Sequence, residues 1–177
     1  SKRRYGAPKI YKTLKKKWNA DITYIHTEKD GWTYLASVED LYSRKIIGWA
    51  FGKTMDAELA KKALKNARLN VKNTEGIILQ TDLGSQYTSN IFEEYLAELK
   101  IRHSYSRKGC PYDNSCIESF HSILKKEEVN LKKYKDFKDA YNAIFEFIEA
   151  WYNRERIHSC LNYRTPDEVY SNLEKSL

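Results

Sequence analysis

The stretch GIILQTDLGSQYTS, residues 76–89, places an acidic side chain directly after an apolar run. Residues 76–79 have the composition of a buried strand, and two polar residues later the chain presents Asp82, followed by a glycine and a short polar loop. A carboxylate beside a core lowers stability unless a cationic group meets it. The stretch therefore predicts a buried strand whose end presents Asp82 for a chemical purpose.

Composition narrows the class of protein. The 177 residues suffice for one domain with a core, and 41% hydrophobic with 31% charged residues is a globular balance. No apolar run approaches the roughly 18 residues that a membrane span needs, and the basic N-terminus SKRRYGAPK has no signal-peptide pattern. A formal net charge of +7 favours polyanionic partners. We expect a cytoplasmic protein without a membrane segment that can bind nucleic acid.

Upstream of Asp82, the pattern predicts three strands joined by hairpins and then a helix. The strands are expected at residues 18–27, 32–40 and 45–51, and the helix at 56–70. A fourth strand at 77–81 ends at Asp82. Ligands of such mixed sheets bind at the carboxyl ends of the parallel strands, where Asp82 is predicted to lie.

Downstream of Asp82, the pattern predicts mainly helices. Asn90, with Glu93 three residues on, predicts the start of a helix to about residue 99, and a fifth strand follows at 101–106. Asp113 or Asn114 is expected to cap a helix to about residue 128. Two later helices are expected, at about 137–154 and after the capping box at 165–168.

Three acids are candidates to converge: Asp21 in the first strand, Asp82 after the fourth, and Glu118 on the helix after the fifth. Crowded carboxylates repel one another, and a divalent cation removes that cost. Oxygen ligands suit Mg²⁺ or Mn²⁺, and two such ions support phosphoryl transfer. Asp40 competes with Asp21, because a hairpin turn at 28–31 would bring it close to Asp21. Each acid alone is better explained by a helix cap or a surface position.

The helix around Glu118 gives a second geometric signal. At roughly 100° per residue, Lys125 falls about 20° from Glu118 on the polar face. The apolar residues fall on the other side; they are Ile117, Phe120, Ile123 and Leu124. An acid that holds metal and a lysine that holds phosphate need this placement, although an ordinary amphipathic helix with solvated charges has it too.

The three cysteines, Cys110, Cys116 and Cys160, match no familiar disulfide or zinc spacing. A zinc site formed by Cys110, Cys116 and His121 is an alternative. Three reduced thiols in a cytoplasmic protein is the simpler interpretation.

Five ordered blocks then resemble a known family. They are WNADITYI, GWTYLASVEDLYSRKIIGWAF, QTDLGSQYTS, SRKGCPYDNSCIESFHSILKKE and YNRERIHSCLNYRTP. Together they resemble the integrase core of bacterial insertion-sequence transposases, most closely insertion-sequence family three, which is related to retroviral integrases. The 35 residues between Asp82 and Glu118 match the spacing of the family's acids. The resemblance covers roughly residues 18–170.

The resemblance implies an α/β, RNase H-like fold: a mixed five-stranded sheet, its first three strands antiparallel, flanked by helices. It implies Asp21, Asp82 and Glu118 as catalytic residues and ligands of Mg²⁺, for which Mn²⁺ can substitute, and by analogy it favours Asp21 over Asp40. It also implies that Lys125 contacts the DNA end.

The expected activity is that of a DDE transposase or integrase, a metal-dependent polynucleotidyl transferase that cleaves DNA and transfers the strand. Transposon ends and target DNA are the expected partners, with a homo-oligomer assembled on the DNA at the bacterial nucleoid. Phosphate contacts are expected from Lys125, Lys126, Arg107, Lys108 and the basic N-terminus.

Two departures from the family pattern lead to alternatives. Gln80 stands where the family usually has histidine, two residues before the second aspartate. Residues 1–17 resemble a shortened remnant of a helical DNA-binding segment, followed by a core at 18–170 and a tail at 171–177. The alternatives are a truncated, non-catalytic regulator of transposition and an RNase H-like nuclease without strand transfer.

Overall fold

The computed structural model describes residues 16–107 and 114–175. In this part of the chain, five strands form one sheet in the order β3-β2-β1-β4-β5. The strands are β1 (Lys17–Thr27), β2 (Gly31–Asp40), β3 (Ile46–Gly52), β4 (Ile78–Thr81) and β5 (Arg102–Tyr105). The first three pair antiparallel, whereas β4 is parallel to both β1 and β5. The predicted mixed sheet, with its antiparallel first three strands, is therefore confirmed.

Helices cover both faces of the sheet. They are α1 (Ala57–Arg68), α2 (Ser85–Thr88), α3 (Asn90–Glu98), α4 (Ser115–Glu127), α5 (Phe137–Glu146) and α6 (Pro166–Lys175). One core lies between the sheet and α1 with α3, around Leu64, Leu79 and Phe92. The other lies between the sheet and α4 with α5, around Leu35 and Phe120. No helix of the described residues is long and apolar enough to cross a membrane.

Helix α1 packs unusually close to β3, and Gly48 makes this possible. A Cβ atom at Gly48 would lie 2.2 Å from the backbone nitrogen of Ala67 and 2.5 Å from the carbonyl oxygen of Ala63. Only glycine fits this contact without a shift of the helix. The side of α1 that faces the sheet is therefore rich in small residues, with Ala60, Ala63 and Ala67 all buried.

The outer edge of β3 is held by asparagine side chains. Asn66 and Asn70 donate to the carbonyl oxygens of Trp49 and Ile47, at 2.8 and 2.6 Å. The amide of Asn153 bonds both backbone groups of Ile46, each at 3.0 Å. Asn153 directly follows a π-helical segment, Phe147–Tyr152.

Three local predictions need correction. Ser89, one residue before Asn90, caps α3, because its hydroxyl accepts from the Phe92 backbone N–H at 3.3 Å. The polar loop after Asp82 contains the short helix α2. The helix expected at about 137–154 ends as an α-helix at Glu146 and continues as the π-helical segment.

The capping box at the last helix is confirmed. The Thr165 N–H donates to Glu168 at 2.7 Å, and the Glu168 N–H donates back to the Thr165 hydroxyl at 3.3 Å. Helix α6 continues to Lys175, and Leu173 is buried. The domain boundaries at 17 and 170 stay predictions, and residues 1–15 lie outside the described residues.

Candidate active site

The parallel pairing of β1 with β4 brings Asp21 and Asp82 to the same level of the sheet. Asn19 pairs with Gln80, so that Asp21 and Asp82 are each two positions further along their chains. Strand β4 ends at Thr81, and Asp82 turns the chain, since its Oδ1 accepts from the Gly84 N–H at 2.8 Å. Asp21 Oδ1 accepts from the Ile22 N–H at 2.9 Å.

Helix α4 brings Glu118 to this end of the sheet. Its inner face is buried through Ile117, Phe120 and Leu124, while Glu118 is exposed. One turn after Glu118, His121 Nδ1 lies 3.7 Å from Asp21 Oδ2. The predicted division of α4 into an apolar inner face and a polar face with the acid is confirmed.

The electrostatics of Asp21 report the proximity of the other two acids. Burial, followed by the charges of Asp82 and Glu118, raises the pKa of Asp21 to about 7, although the Ile22 N–H acts in the opposite direction. The buried Tyr87 lies near the same charges: burial, then Asp21 and Asp82, raise the pKa of its hydroxyl far above the ordinary value. The charges of Asp82 and Glu118 therefore act on Asp21 from two other elements.

The histidine beside Asp21 adds no positive charge. Burial, and secondarily the charge of Lys125, lowers the pKa of His121 to about 3. Its Nε2 is buried with no hydrogen-bond partner in the described part of the chain. A neutral imidazole does not compensate the negative charge around Asp21.

The three predicted ligands are carboxylates, whose oxygens suit a hard divalent cation. No group of three or more His, Cys, Asp or Glu side chains within residues 16–107 and 114–175 is arranged closely enough to hold a metal ion. The assignment of Asp21, Asp82 and Glu118 as catalytic residues and metal ligands thus stays a prediction. Cys110, and with it the alternative zinc site, lies outside the described residues.

Asp40 has a different role. It pairs with Trp18, one position from the predicted partner Asn19, whereas Asp21 pairs with Ser37. Asp40 Oδ2 accepts from the Ser43 N–H at 2.8 Å and from the Ser43 hydroxyl at 2.6 Å. Its carboxylate closes the turn between β2 and β3.

The predicted DNA-contacting residues differ in their surroundings. Lys125 Nζ donates to the Tyr24 carbonyl oxygen and lies 4.7 Å from the centre of the Tyr24 ring. Burial lowers the pKa of Lys125. Lys126 and Arg107 are exposed. Lys108 lies outside the described residues.

Gln80, where the sequence departs from the family pattern, connects two elements of the site. Its Nε2 donates to the Ser106 hydroxyl at 3.4 Å, and that hydroxyl donates to Asn114 Oδ1 at 2.9 Å. Asn114 is the N-cap residue of α4. Gln80 therefore links the strand that leads to Asp82 with the helix that carries Glu118.

Sequence analysis missed a second network beside Asp82. The Thr81 hydroxyl lies 2.8 Å from His103 Nε2, and His103 Nδ1 lies 2.7 Å from Glu93 Oε1. The Tyr105 hydroxyl donates to the same oxygen of Glu93. The alternation of His103 and Tyr105 along β5 was the available signal. Their shared partner on α3 could be seen only in the fold.

A mixed five-stranded sheet in this strand order, with helices on both faces, is an RNase H-like architecture. Two profiles described as integrase core domain match the sequence, at residues 14–111 and 99–166. The chain belongs to the integrase core domain family, as its sequence blocks predicted.

Curated relatives are transposases of bacterial insertion sequences. The chain is 40% identical over 153 residues to the transposase for IS904 of Lactococcus lactis strain IL1403, covering 86% of this chain and 60% of that protein. It is 41% identical over 152 residues to transposase InsF for IS3A of Escherichia coli K12, covering 86% and 52%. The chain therefore spans little more than half the length of these relatives.

Solved structures with this fold come from retroviral integrases. The dimeric form of the HTLV-2 integrase catalytic core domain, in complex with magnesium, matches with a TM-score of 0.64 at 17% identity, covering 89% of this chain and 97% of that one. An intasome of simian T-cell lymphotropic virus in complex with a PP2A regulatory subunit matches with a TM-score of 0.66 at 20% identity, covering 87% of this chain and 53% of that one. These likenesses confirm the RNase H-like fold.

Proposed function

We propose that this chain is the catalytic core of an insertion-sequence transposase, which cleaves DNA and transfers the strand to a second phosphodiester. The observation that carries the proposal is the carboxylate cluster: Asp21, partly buried at the end of the parallel strands, with the charges of Asp82 and Glu118 acting on it. The names of the relatives support the same activity.

The acids would hold Mg²⁺, or Mn²⁺ in its place. The charge accumulated at Asp21 and the oxygen-only donor set support this, and a retroviral relative in fold is described in complex with magnesium. When bound, such ions activate the attacking hydroxyl or water and stabilise the leaving oxygen. The protein's own contribution is to hold the acids in position. The Ile22 and Gly84 N–H groups orient Asp21 and Asp82, and Gln80 links their strand pair to α4.

The substrate is DNA, held mainly through its phosphates. Lys125 bonds the backbone of β1, the strand that contains Asp21, and Lys126 and Arg107 are exposed. Lys108 is the fourth residue of the proposed set. Such contacts make affinity fall steeply with salt. We further propose that two or more copies assemble on paired transposon ends at the bacterial nucleoid, with residues 18–170 as the catalytic domain.

A strand-transfer assay tests this function. The purified chain is incubated with a labelled precleaved DNA end, supercoiled target DNA and either Mg²⁺ or Mn²⁺. Joined product is expected from the wild type and not from Asp82→Asn or Glu118→Gln, whereas the exposed acid Glu94 provides a matched control in Glu94→Gln.

The alternatives give different products. Nicked target without joined product would identify a nuclease that lacks strand transfer. DNA binding with neither product would identify a non-catalytic regulator. Full activity of Glu118→Gln would remove Glu118 from the site.

A further inference from the structure

The far half of the β1–β2 hairpin carries large aromatic side chains that no helix of residues 16–107 and 114–175 covers. Tyr24 and Trp32 are 59% and 54% exposed. The Trp32 ring packs edge-to-face with the rings of Tyr24 and His26, with distances of 5.1 and 5.0 Å between the ring centres. Rings held by their neighbours at such angles are rigid surfaces, which lose little entropy when a flat ligand binds to them.

These rings line a groove of about 570 Å³ between the hairpin and the segment after α4. Lys125, Lys132 and Lys133 are among the described residues of its lining, and Glu28 is its acidic member. Lys132 is also paired with Glu128 at 3.0 Å, while Lys133 is exposed. We call Tyr24, His26, Trp32, Lys125, Lys132 and Lys133 the aromatic–basic patch.

Two elements, α4 and β1, carry residues of both the candidate active site and the patch. Lys125 follows Glu118 by two helical turns, roughly 10 Å along α4. Tyr24 follows Asp21 by three residues, again roughly 10 Å along β1. Because β4 ends at Thr81 while β1 continues to Thr27, Lys125 can reach the backbone of β1 at Tyr24. Both elements thus lead from the acids to the patch.

We propose that the aromatic–basic patch binds unpaired nucleotides next to the reacting DNA end, with Trp32 as the stacking surface for a base. Exposed rings with lysines around them combine the two groups that single strands require, a stacking platform and charges for the phosphates. Paired bases in the interior of a duplex do not offer their faces to a ring. The inference rests on the proposed function, because it takes the DNA end to lie at the acids.

Binding of two DNA ends to Asp82→Asn protein, which leaves the substrate intact, tests the proposal. One end is blunt and the other has a short unpaired tail. The tail is expected to strengthen binding roughly tenfold, a gain that one stacked base can supply. Trp32→Leu should remove this gain and leave the affinity for the blunt end unchanged, and Trp32→Phe should retain most of it.

A second readout does not depend on the leucine variant folding. In a Trp151→Phe background, which removes the other exposed tryptophan, the tailed end is expected to quench the fluorescence of Trp32 and the blunt end is not. Equal binding of tailed and blunt ends, or equal competition by an acidic polypeptide of the same charge, would overturn the proposal. Tail-dependent quenching in a wild type that forms no joined product would leave the patch standing and remove the transposase function.

Discussion

Two carboxyl groups on neighbouring strands, the partly buried Asp21 and the fully buried Glu39, both have raised pKa values, for different reasons. They lie on the same side of the sheet, since Asp21 pairs with Ser37 and Asn19 with Glu39. Burial raises the pKa of Glu39 to about 8, the nearby Arg44 opposes this, and Asp40 adds to it. At Asp21, two acids from other elements add to the effect of burial.

The comparison shows that a raised pKa by itself does not identify an active site. Glu39 is enclosed, with its Oε2 unpaired within the described residues, and Arg44 supplies an opposite charge. Asp21 is partly exposed, and among the described residues the charges that act on it are those of Asp82 and Glu118, while His121 beside it is neutral. Convergence of like charges at an accessible place is the feature that indicates a cation site.

The largest expected difference is in activity. Asp21→Asn should reduce strand transfer by at least about a thousandfold, because it removes one of the oxygens proposed to hold the metal. Glu39→Gln, the equivalent change at the enclosed position, should change the rate by less than about threefold. Initial rates of strand transfer measure both. Comparable losses in the two variants would mean that Asp21 has no special role.

The next effect is on the pH dependence of stability, and here Glu39 is the residue whose substitution matters. The folded pKa of Glu39, about 8, lies above its ordinary value of 4.5, so between these pH values the unfolded chain is ionised first. Stability should therefore fall as pH rises through this window, by up to about 1.4 kcal/mol per pH unit from this group. Glu39→Gln should flatten that slope. Urea unfolding at several pH values between 5 and 8 would show it, and parallel wild-type and variant curves would contradict it.

Addition of Mg²⁺ should produce a smaller effect on stability, which depends on Asp21 and not on Glu39. A ligand that binds the folded state at ten times its dissociation constant adds about 1.4 kcal/mol of stability. The wild type and Glu39→Gln should gain this stability relative to EDTA, and Asp21→Asn should gain little. Thermal unfolding with and without Mg²⁺ tests it, with Ca²⁺ as a second cation. A gain that Asp21→Asn retains would place the cation elsewhere.

The smallest effect concerns DNA binding near the site. Lys126→Gln should lower the slope of log affinity against log salt by about one, because one phosphate contact is lost. The same change at Lys65 on α1, which packs on the other face of the sheet, serves as the control. Titrations of labelled duplex at several salt concentrations compare the two. Identical slopes in both variants would remove Lys126 from the DNA surface.

Much of this arrangement could be predicted because its signals are local in sequence. Alternating residues gave the hairpins, and the apolar run before Asp82 gave β4. The cap of α3 was placed one residue late, because Ser89 and Asn90 are both good capping residues. The π-helical segment Phe147–Tyr152 could not be predicted, because its pattern of apolar residues does not differ from that of an α-helix.

The features that could not be predicted from the sequence depend on contacts between elements that are distant along the chain. Asp40 could be separated from Asp21 only when the register paired it with Trp18 and its carboxylate was found on Ser43. The links from Gln80 to α4 and from His103 to Glu93 join residues whose proximity follows from the order of strands in the sheet. The exposed rings of the aromatic–basic patch likewise look in sequence like ordinary strand residues.

The three asparagine side chains along β3 limit how copies of this protein can associate. An open strand edge invites a second chain to continue the sheet. Here side-chain amides already bond both backbone groups of Ile46 and the carbonyl oxygens of Ile47 and Trp49. Self-association that extends the sheet across this border would first have to displace them.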